Sequence, residues 1–130
     1  MVIIAAMWLL AATPAAQTRP YDVLMKDVAS TVEGLRKGLN SGDLTGAAAT
    51  AGRLERLFVE TEAFWAPFRT KDALDAARGA RGVAVSIAAA IKGKDAQKAK
   101  DAAAGLGRFC TACHNSHREQ MPDKSYRIRP

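Results

Sequence analysis

The chain has 130 residues, 48% of them hydrophobic and 25% charged, which predicts a single globular domain with its own core. Only 6% of the residues are aromatic and alanine is abundant, so close-packed helices are favoured over a sheet. The formal net charge is +6, but basic and acidic side chains are interspersed, which argues against nucleic-acid binding and favours anionic partners or transient contact with membrane headgroups.

The first sixteen residues read MVIIAAMWLLAATPAA and carry no charged side chain. Their apolar core of about a dozen residues is shorter than the roughly 20 that a membrane-spanning helix needs, but it suits the hydrophobic region of a secretory signal. We therefore predict a signal peptide over residues 1–16, cleaved just before Ala16 or Gln17. An uncleaved N-terminal anchor helix is the alternative. Either assignment places the rest of the chain outside the cytoplasm, in the periplasm.

Three amphipathic helices follow, predicted by apolar residues that recur three and four positions apart. The first covers residues 21–39, the second runs from an N-cap at Asp43 to Trp65, and the third covers residues 72–91. Their predicted inner faces comprise Tyr21, Met25, Val28, Val32, Leu35 and Leu39; Ala47, Ala51, Leu54, Phe58, Thr61 and Trp65; and Leu74, Ala77, Ala84, Ile87 and Ile91.

A fourth helix is predicted over residues 95–119, with the same spacing along its inner face: Ala99, Ala103, Leu106, Cys110, Cys113 and His117. Four such helices with short connections predict an all-α fold, an antiparallel up-down-up-down four-helix bundle. The domain is expected over residues 20–120. Residues 121–130 form a basic C-terminal tail.

The two cysteines of the chain lie three residues apart and are followed directly by a histidine, in the order Cys110, Cys113, His114. A helix advances about 100° per residue, so both thiols and the imidazole lie on one face. C-x-x-C-H is the attachment signature of a c-type haem, in which the thiols form thioethers and the histidine binds the iron. The motif predicts one covalent haem c. The C-terminal tail over residues 121–130 is expected either to cover the edge of this haem or to be disordered.

Three other interpretations of the cysteines stay open. A thioredoxin-like redox pair is expected within a βαβ unit, and the chain has almost no strand pattern. A structural zinc site needs four ligands, and only His117 remains beyond the Cys-Cys-His set. The third interpretation is a pair of core cysteines with no cofactor, either free or joined by a disulfide.

The place of the motif near the C-terminus of a four-helix pattern, continuing as CHNSHR over residues 113–118, resembles the class II cytochromes c, the cytochrome c-prime family. The family motif is C-x-x-C-H-x-x-aromatic-Arg, and the resemblance covers about residues 20–120. It implies that His114 is the proximal iron ligand and that Arg118 lies near the haem. This chain has His117 at the aromatic position, and we expect it to pack at the haem edge or bond a propionate.

The resemblance also implies that the first helix covers the opposite side of the haem. In this chain the letters LMK over residues 24–26 resemble the start of the methionine-ligated members. Met25 is therefore the candidate distal iron ligand, with packing in the core as its alternative role. Ligation predicts a low-spin carrier of single electrons. An apolar distal side instead implies a five-coordinate protein that binds nitric oxide or carbon monoxide.

No pattern of a bond-making enzyme is found: the chain lacks a Ser-His-Asp set, a paired acidic dyad and a phosphate-binding glycine loop. The expected partners are redox proteins. Many members of the family pair through their first two helices, and the residues distinguish neither a monomer nor a homodimer. The cluster Lys92, Lys94, Lys98 and Lys100 is interpreted as a solvated surface, with partner docking as the alternative.

Overall fold

The structure is a computed structural model that describes residues 19–130, and this part of the chain is mostly helical, as an all-α protein requires. The predicted signal peptide lies outside the described residues. In chain order the elements are α1 (Tyr21–Ser41), α2 (Leu44–Trp65), the 3-10 turn Ala66–Phe68, α3 (Lys71–Lys92), α4 (Ala96–Ala104), α5 (Gly107–His117), β1 (Arg118–Gln120) and β2 (Tyr126–Ile128).

The first three helices confirm the prediction to within a few residues. The α1–α2 connection turns at Gly42, whose φ of 79° is left-handed, and the Asp43 side chain then caps α2 by accepting a hydrogen bond from the Gly46 N–H at 2.9 Å. All six predicted inner positions of α2 are buried. Successive helices pack on each other, α1 on α2 and α2 on α3.

The buried face of α1 is centred slightly away from its predicted position. Leu24 and Thr31 are buried, whereas Tyr21, Met25 and Val32 are half-buried. Met25 and Val32 lie about 100° and 80° around the helix from Leu24, so they form one flank of the face that packs against the core. Met25 is therefore placed at the edge of the core.

The predicted fourth helix, continuous over residues 95–119, is wrong in two respects. It is divided into α4 and α5 by a tight turn in which the N–H groups of Gly105 and Leu106 bond the carbonyls three residues earlier, those of Ala102 and Ala103. Such i-to-i+3 bonds tighten the helix locally, and glycine favours the break because it has the least helical preference after proline. The second error is the C-terminal boundary, because α5 ends at His117.

The chain then forms a short antiparallel β-hairpin in place of the last predicted helical residues and of a disordered tail. Strands β1 and β2 pair Arg118 with Ile128 and Gln120 with Tyr126, and the Arg129 N–H donates to the His117 carbonyl at 2.8 Å. The extended conformation of Arg118 ends α5.

Helix α5 reaches the core through a close approach to α3. The ring of Phe109 lies over Gly79, and a Cβ atom added at Gly79 would lie 2.1 Å from the ring. A side chain at this position would force the ring or α5 to move, so glycine permits the close α3–α5 contact. Within residues 19–130, no helix has both the length and the apolarity to cross a membrane.

Candidate functional site

The two thiols lie on α5, on a helix that is only partly covered by the rest of the protein. Cys110 and Cys113 are both free and half-buried, and no α5 residue is fully buried. Burial raises the pKa of the Cys110 thiol, and burial together with the charges of Asp72 and Cys110 raises that of Cys113. Both are therefore thiols at neutral pH, unlike redox-active C-x-x-C cysteines, whose pKa is lowered.

His114 follows the second thiol and is also half-buried. Burial lowers the pKa of its imidazole, and the positive charge of Arg118 lowers it further. The neutral form, the one that offers a nitrogen lone pair to a metal, is therefore favoured at neutral pH. Two thiols and a neutral imidazole thus lie within five residues of one helix, on the half-buried side of α5.

Beside this part of α5 lies an aromatic cluster, which consists of Tyr21, Phe64, Trp65, Phe68 and His117. The Tyr21 and Phe64 rings are stacked with centroids 4.0 Å apart, and Trp65 meets both of them edge-on. The His117 ring lies 5.1 Å from that of Trp65. The cluster joins the start of α1, the end of α2 and the end of α5.

Tyr21 links the cluster to the cysteine motif. Its hydroxyl oxygen accepts a hydrogen bond from the buried Trp65 indole N–H at 2.9 Å. Burial raises the pKa of Tyr21 to about 12, with the Trp65 bond opposing the rise and the charge of Cys113 adding to it. Through Trp65, whose ring also lies 5.1 Å from that of His117, the first turn of α1 is joined to the end of α5 that follows the motif.

Met25 lies one turn after Tyr21, and it is half-buried against the same hydrophobic core as Phe109 and Cys110. Residues four apart in a helix share a face, so Met25 follows Tyr21 along one side of α1. The candidate distal ligand and the first thiol thus both pack against the common core, and the role of Met25 at the iron stays a prediction. Met121, in the hairpin turn, lies after α5.

His117 has protein partners at both ring nitrogens. Nδ1 lies 2.7 Å from the Arg129 carbonyl oxygen, and Nε2 lies 2.8 Å from a carboxylate oxygen of Asp72. The side chain is only 10% exposed. In this arrangement His117 joins the ends of α3, α5 and the hairpin, and its expected place at a haem edge stays a prediction.

Arg118 stands at the junction of α5 and the hairpin. Its guanidinium lies over the Tyr126 ring, 4.4 Å from the centroid, and its charge acts on His114. The Arg129 side chain donates to the Ser116 carbonyl at 3.1 Å and so helps to cap the end of α5. The basic hairpin is therefore docked beside the motif.

The four side chains weighed as a zinc site, Cys110, Cys113, His114 and His117, are not brought together as ligands. Across residues 19–130 no group of three or more His, Cys, Asp or Glu side chains is arranged to hold a metal ion. His117 is in addition engaged with Asp72 and Arg129 at its two ring nitrogens, so it is not available as a fourth ligand in this arrangement.

The lysine cluster lies at a distance from this region. Lys92, Lys94, Lys98 and Lys100 are all exposed, at the end of α3, in the turn that follows it and in α4. Asp72, whose charge acts on Cys113, lies at the start of α3, and 20 residues of helix separate it from Lys92 by about 30 Å. A partner bound to the lysines would thus contact the opposite end of the molecule from His117.

Sequence reasoning missed three residues of this region: Asp72, Arg129 and the role of Tyr21. Tyr21 and Trp65 are on the predicted inner faces of their helices, and a buried indole N–H needs an acceptor, so a Trp–Tyr pair was a discoverable signal. Asp72 and Arg129 are joined to His117 across 45 and 12 residues of chain. No local pattern reveals such pairs.

Comparisons of the chain with protein-family models, with curated proteins and with solved structures find no match. The class of protein must therefore be inferred from the residues and contacts described above.

Proposed function

We propose that this protein is a monohaem c-type cytochrome that carries single electrons in the periplasm, with one haem c attached to Cys110 and Cys113 and bound through His114. The observation that carries the proposal is the C-x-x-C-H motif on the half-buried face of α5, beside the aromatic cluster that joins the start of α1 to the end of α5. We further propose an antiparallel up-down-up-down bundle, in which α4 and α5 together form the fourth member.

The side chains fit this cofactor. Thioether attachment needs two free thiols on one helical face, and Cys110 and Cys113 are free, half-buried and three residues apart. Iron ligation needs a neutral imidazole, which the lowered pKa of His114 favours. Arg118, next to His114 in space, supplies a positive charge that suits a propionate. Haem, when bound, supplies the one-electron redox chemistry.

The proposed distal ligand is Met25. Its thioether is a soft ligand of the kind that haem iron accepts, and its half-buried position on the flank of α1 leaves it able to face a group held by α5. Ligation on both sides of the iron favours electron transfer over binding of gases.

The remaining parts of the proposal concern place and partners. Export through residues 1–16 is consistent with haem attachment outside the cytoplasm, and the basic charge favours acidic redox partner proteins or brief contact with anionic headgroups. Under this proposal the protein is an electron carrier rather than an enzyme. A homodimer and a monomer are both compatible with it.

An absorption spectrum of the exported protein in both redox states, with and without carbon monoxide, tests the proposed function. We expect a Soret band, low-spin features in both states and little change with carbon monoxide. Met25→Ala should convert the ferrous protein into a form that binds carbon monoxide, whereas the control Met121→Ala should not.

Each contrary result identifies the part that fails. A chain that lacks a Soret band after export with the haem attachment machinery contradicts the cytochrome proposal. A wild-type spectrum that responds fully to carbon monoxide, unchanged in Met25→Ala, contradicts Met25 ligation and favours the five-coordinate, gas-binding alternative.

A further inference from the structure

We propose that Tyr21 is a positioning residue that sets the reach of Met25 toward the haem iron, through the hydrogen bond that its hydroxyl accepts from Trp65. This inference rests on the proposed function, because it concerns the distal ligand of that site. It assigns Tyr21 no contact with the iron.

Helix α2 holds the start of α1 in place. Arg19 donates two hydrogen bonds to the Glu60 carboxylate, at 2.9 and 2.8 Å, and also pairs with Asp27. Two residues later, Tyr21 bonds Trp65. Both anchors join residues that are more than 40 positions apart in the chain, so the first turn of α1 is fixed on the last two turns of α2.

Helix α1 has no comparable anchor on α5, the helix that would hold the haem. Helix α1 packs chiefly against α2, and α5 packs chiefly against α3. The position of Met25 relative to His114 is therefore relayed through α2 and α3. Because Met25 is one turn, about 6 Å, beyond Tyr21, a change in the tilt of that turn is passed directly to its thioether.

The Tyr21–Trp65 hydrogen bond is costly to lose, because its donor is buried. Trp65 is 1% exposed, and its indole N–H can only donate a hydrogen bond. Removing the phenol oxygen leaves this donor unsatisfied, so the first turn of α1 would shift to relieve it. The stacked ring is retained in Tyr21→Phe, so that variant removes the hydroxyl alone.

The test compares Tyr21→Phe with Tyr126→Phe, each of which removes one hydroxyl oxygen from the intact, haem-loaded protein. Tyr126 is 54% exposed, and its hydroxyl receives a weaker bond, from Gln120 at 3.4 Å. We expect the apparent affinity of the ferrous protein for carbon monoxide to rise about fivefold in Tyr21→Phe, the factor that corresponds to one lost hydrogen bond. Tyr126→Phe should match the wild type.

A second variant separates positioning from simple loss of stability. Trp65→Phe removes the donor of the same bond, so it should raise carbon monoxide affinity in the same direction, and the double variant should show less than the product of the two single effects. Circular dichroism verifies that each variant is folded. A role in stability alone would lower the melting temperature without changing carbon monoxide affinity.

The outcomes distinguish this inference from the proposed function. If the wild type shows methionine ligation and Tyr21→Phe binds carbon monoxide no better than it does, the positioning role of Tyr21 is refuted while the function stands. If the wild type holds no haem, or binds carbon monoxide as readily as Met25→Ala, the function and this inference are both refuted.

Discussion

Replacement of Gly79 by alanine provides a sharp test of how α5 is seated. A Cβ atom at Gly79 would lie 2.1, 2.5 and 2.6 Å from three atoms of the Phe109 ring, well inside contact distance. The ring must swing toward solvent or α5 must move away from α3, and overpacking of this kind costs about 1–3 kcal/mol. Against this loss stands a gain of up to about 1 kcal/mol from replacing glycine within a helix.

Gly82 is the matched control, because it lies in the same helix and an added Cβ there meets nothing within 4 Å. Gly82→Ala should therefore stabilise the protein by about 0.5–1 kcal/mol. The helical gain is common to the two variants, so the difference between their unfolding free energies isolates the contact with Phe109. We expect that difference to be about 1–3 kcal/mol.

Urea unfolding followed by circular dichroism measures both free energies. In a background of Phe109→Ala the ring is gone, so Gly79→Ala should become as stabilising as Gly82→Ala. Equal stabilisation by the two glycine replacements in the wild-type background would refute the close approach of α5 to Gly79.

Three further outcomes are expected. Burial raises the pKa of Tyr21 from 10.0 to about 12 and so favours the neutral phenol. The associated stability, up to about 3 kcal/mol, is present below pH 10 and lost as pH rises from there to about 12. Tyr21→Phe should abolish this loss of stability at alkaline pH, and a variant whose stability falls as that of the wild type does would contradict the expectation. The hydrogen bond from His117 lowers the pKa of Asp72, so the contribution of this bond to folding stability is present above pH 3.8 and lost as pH falls through the lower pKa of the folded state. The stability of Asp72→Asn should therefore fall less steeply on acidification than that of the wild type, and equal slopes would rule out the pair. Asp43→Ala should cost about 1 kcal/mol in urea unfolding through loss of the α2 cap; a cost near zero would show that the cap contributes nothing.

The helices could be predicted because each buries one periodic face. On α2 the spacing alone identified six buried residues, since a long helix between two neighbours has a well-defined inner face. On α1 the prediction was displaced, with Leu24 at the centre of the face and Met25 on its flank. Periodicity locates the buried face of a helix only to within about one residue. An error of one residue is enough to exchange Leu24 and Met25 at the centre of that face.

The end of the chain was harder to predict because its structure depends on distant contacts. The hairpin is held by the pairing of β1 with β2 and by His117, which reaches back to Asp72 at the start of α3. Similarly, the break at Gly105 follows from local 3-10 bonding within a sequence whose apolar spacing continues without interruption. The local pattern favoured a helix at both places. Tertiary contacts produce the hairpin instead, and the low helical preference of glycine allows the break at Gly105.

The C-x-x-C-H motif was the part of the candidate site most accessible from sequence, since its chemistry is contained within five residues. Its surroundings were not. The Tyr21–Trp65 bond brings together residues 44 positions apart, and only a folded chain shows that this pair and His117 form one cluster.

Covalent attachment of haem is the central claim, and the mass of the denatured protein tests it most directly. After export in cells that contain the haem attachment machinery, the denatured chain should have the mass of the polypeptide plus one haem, and neither Cys110 nor Cys113 should react with an alkylating agent. Replacement of both cysteines by alanine should abolish the added mass. A denatured wild-type chain that has the mass of the polypeptide alone, with both thiols open to alkylation, would contradict the account.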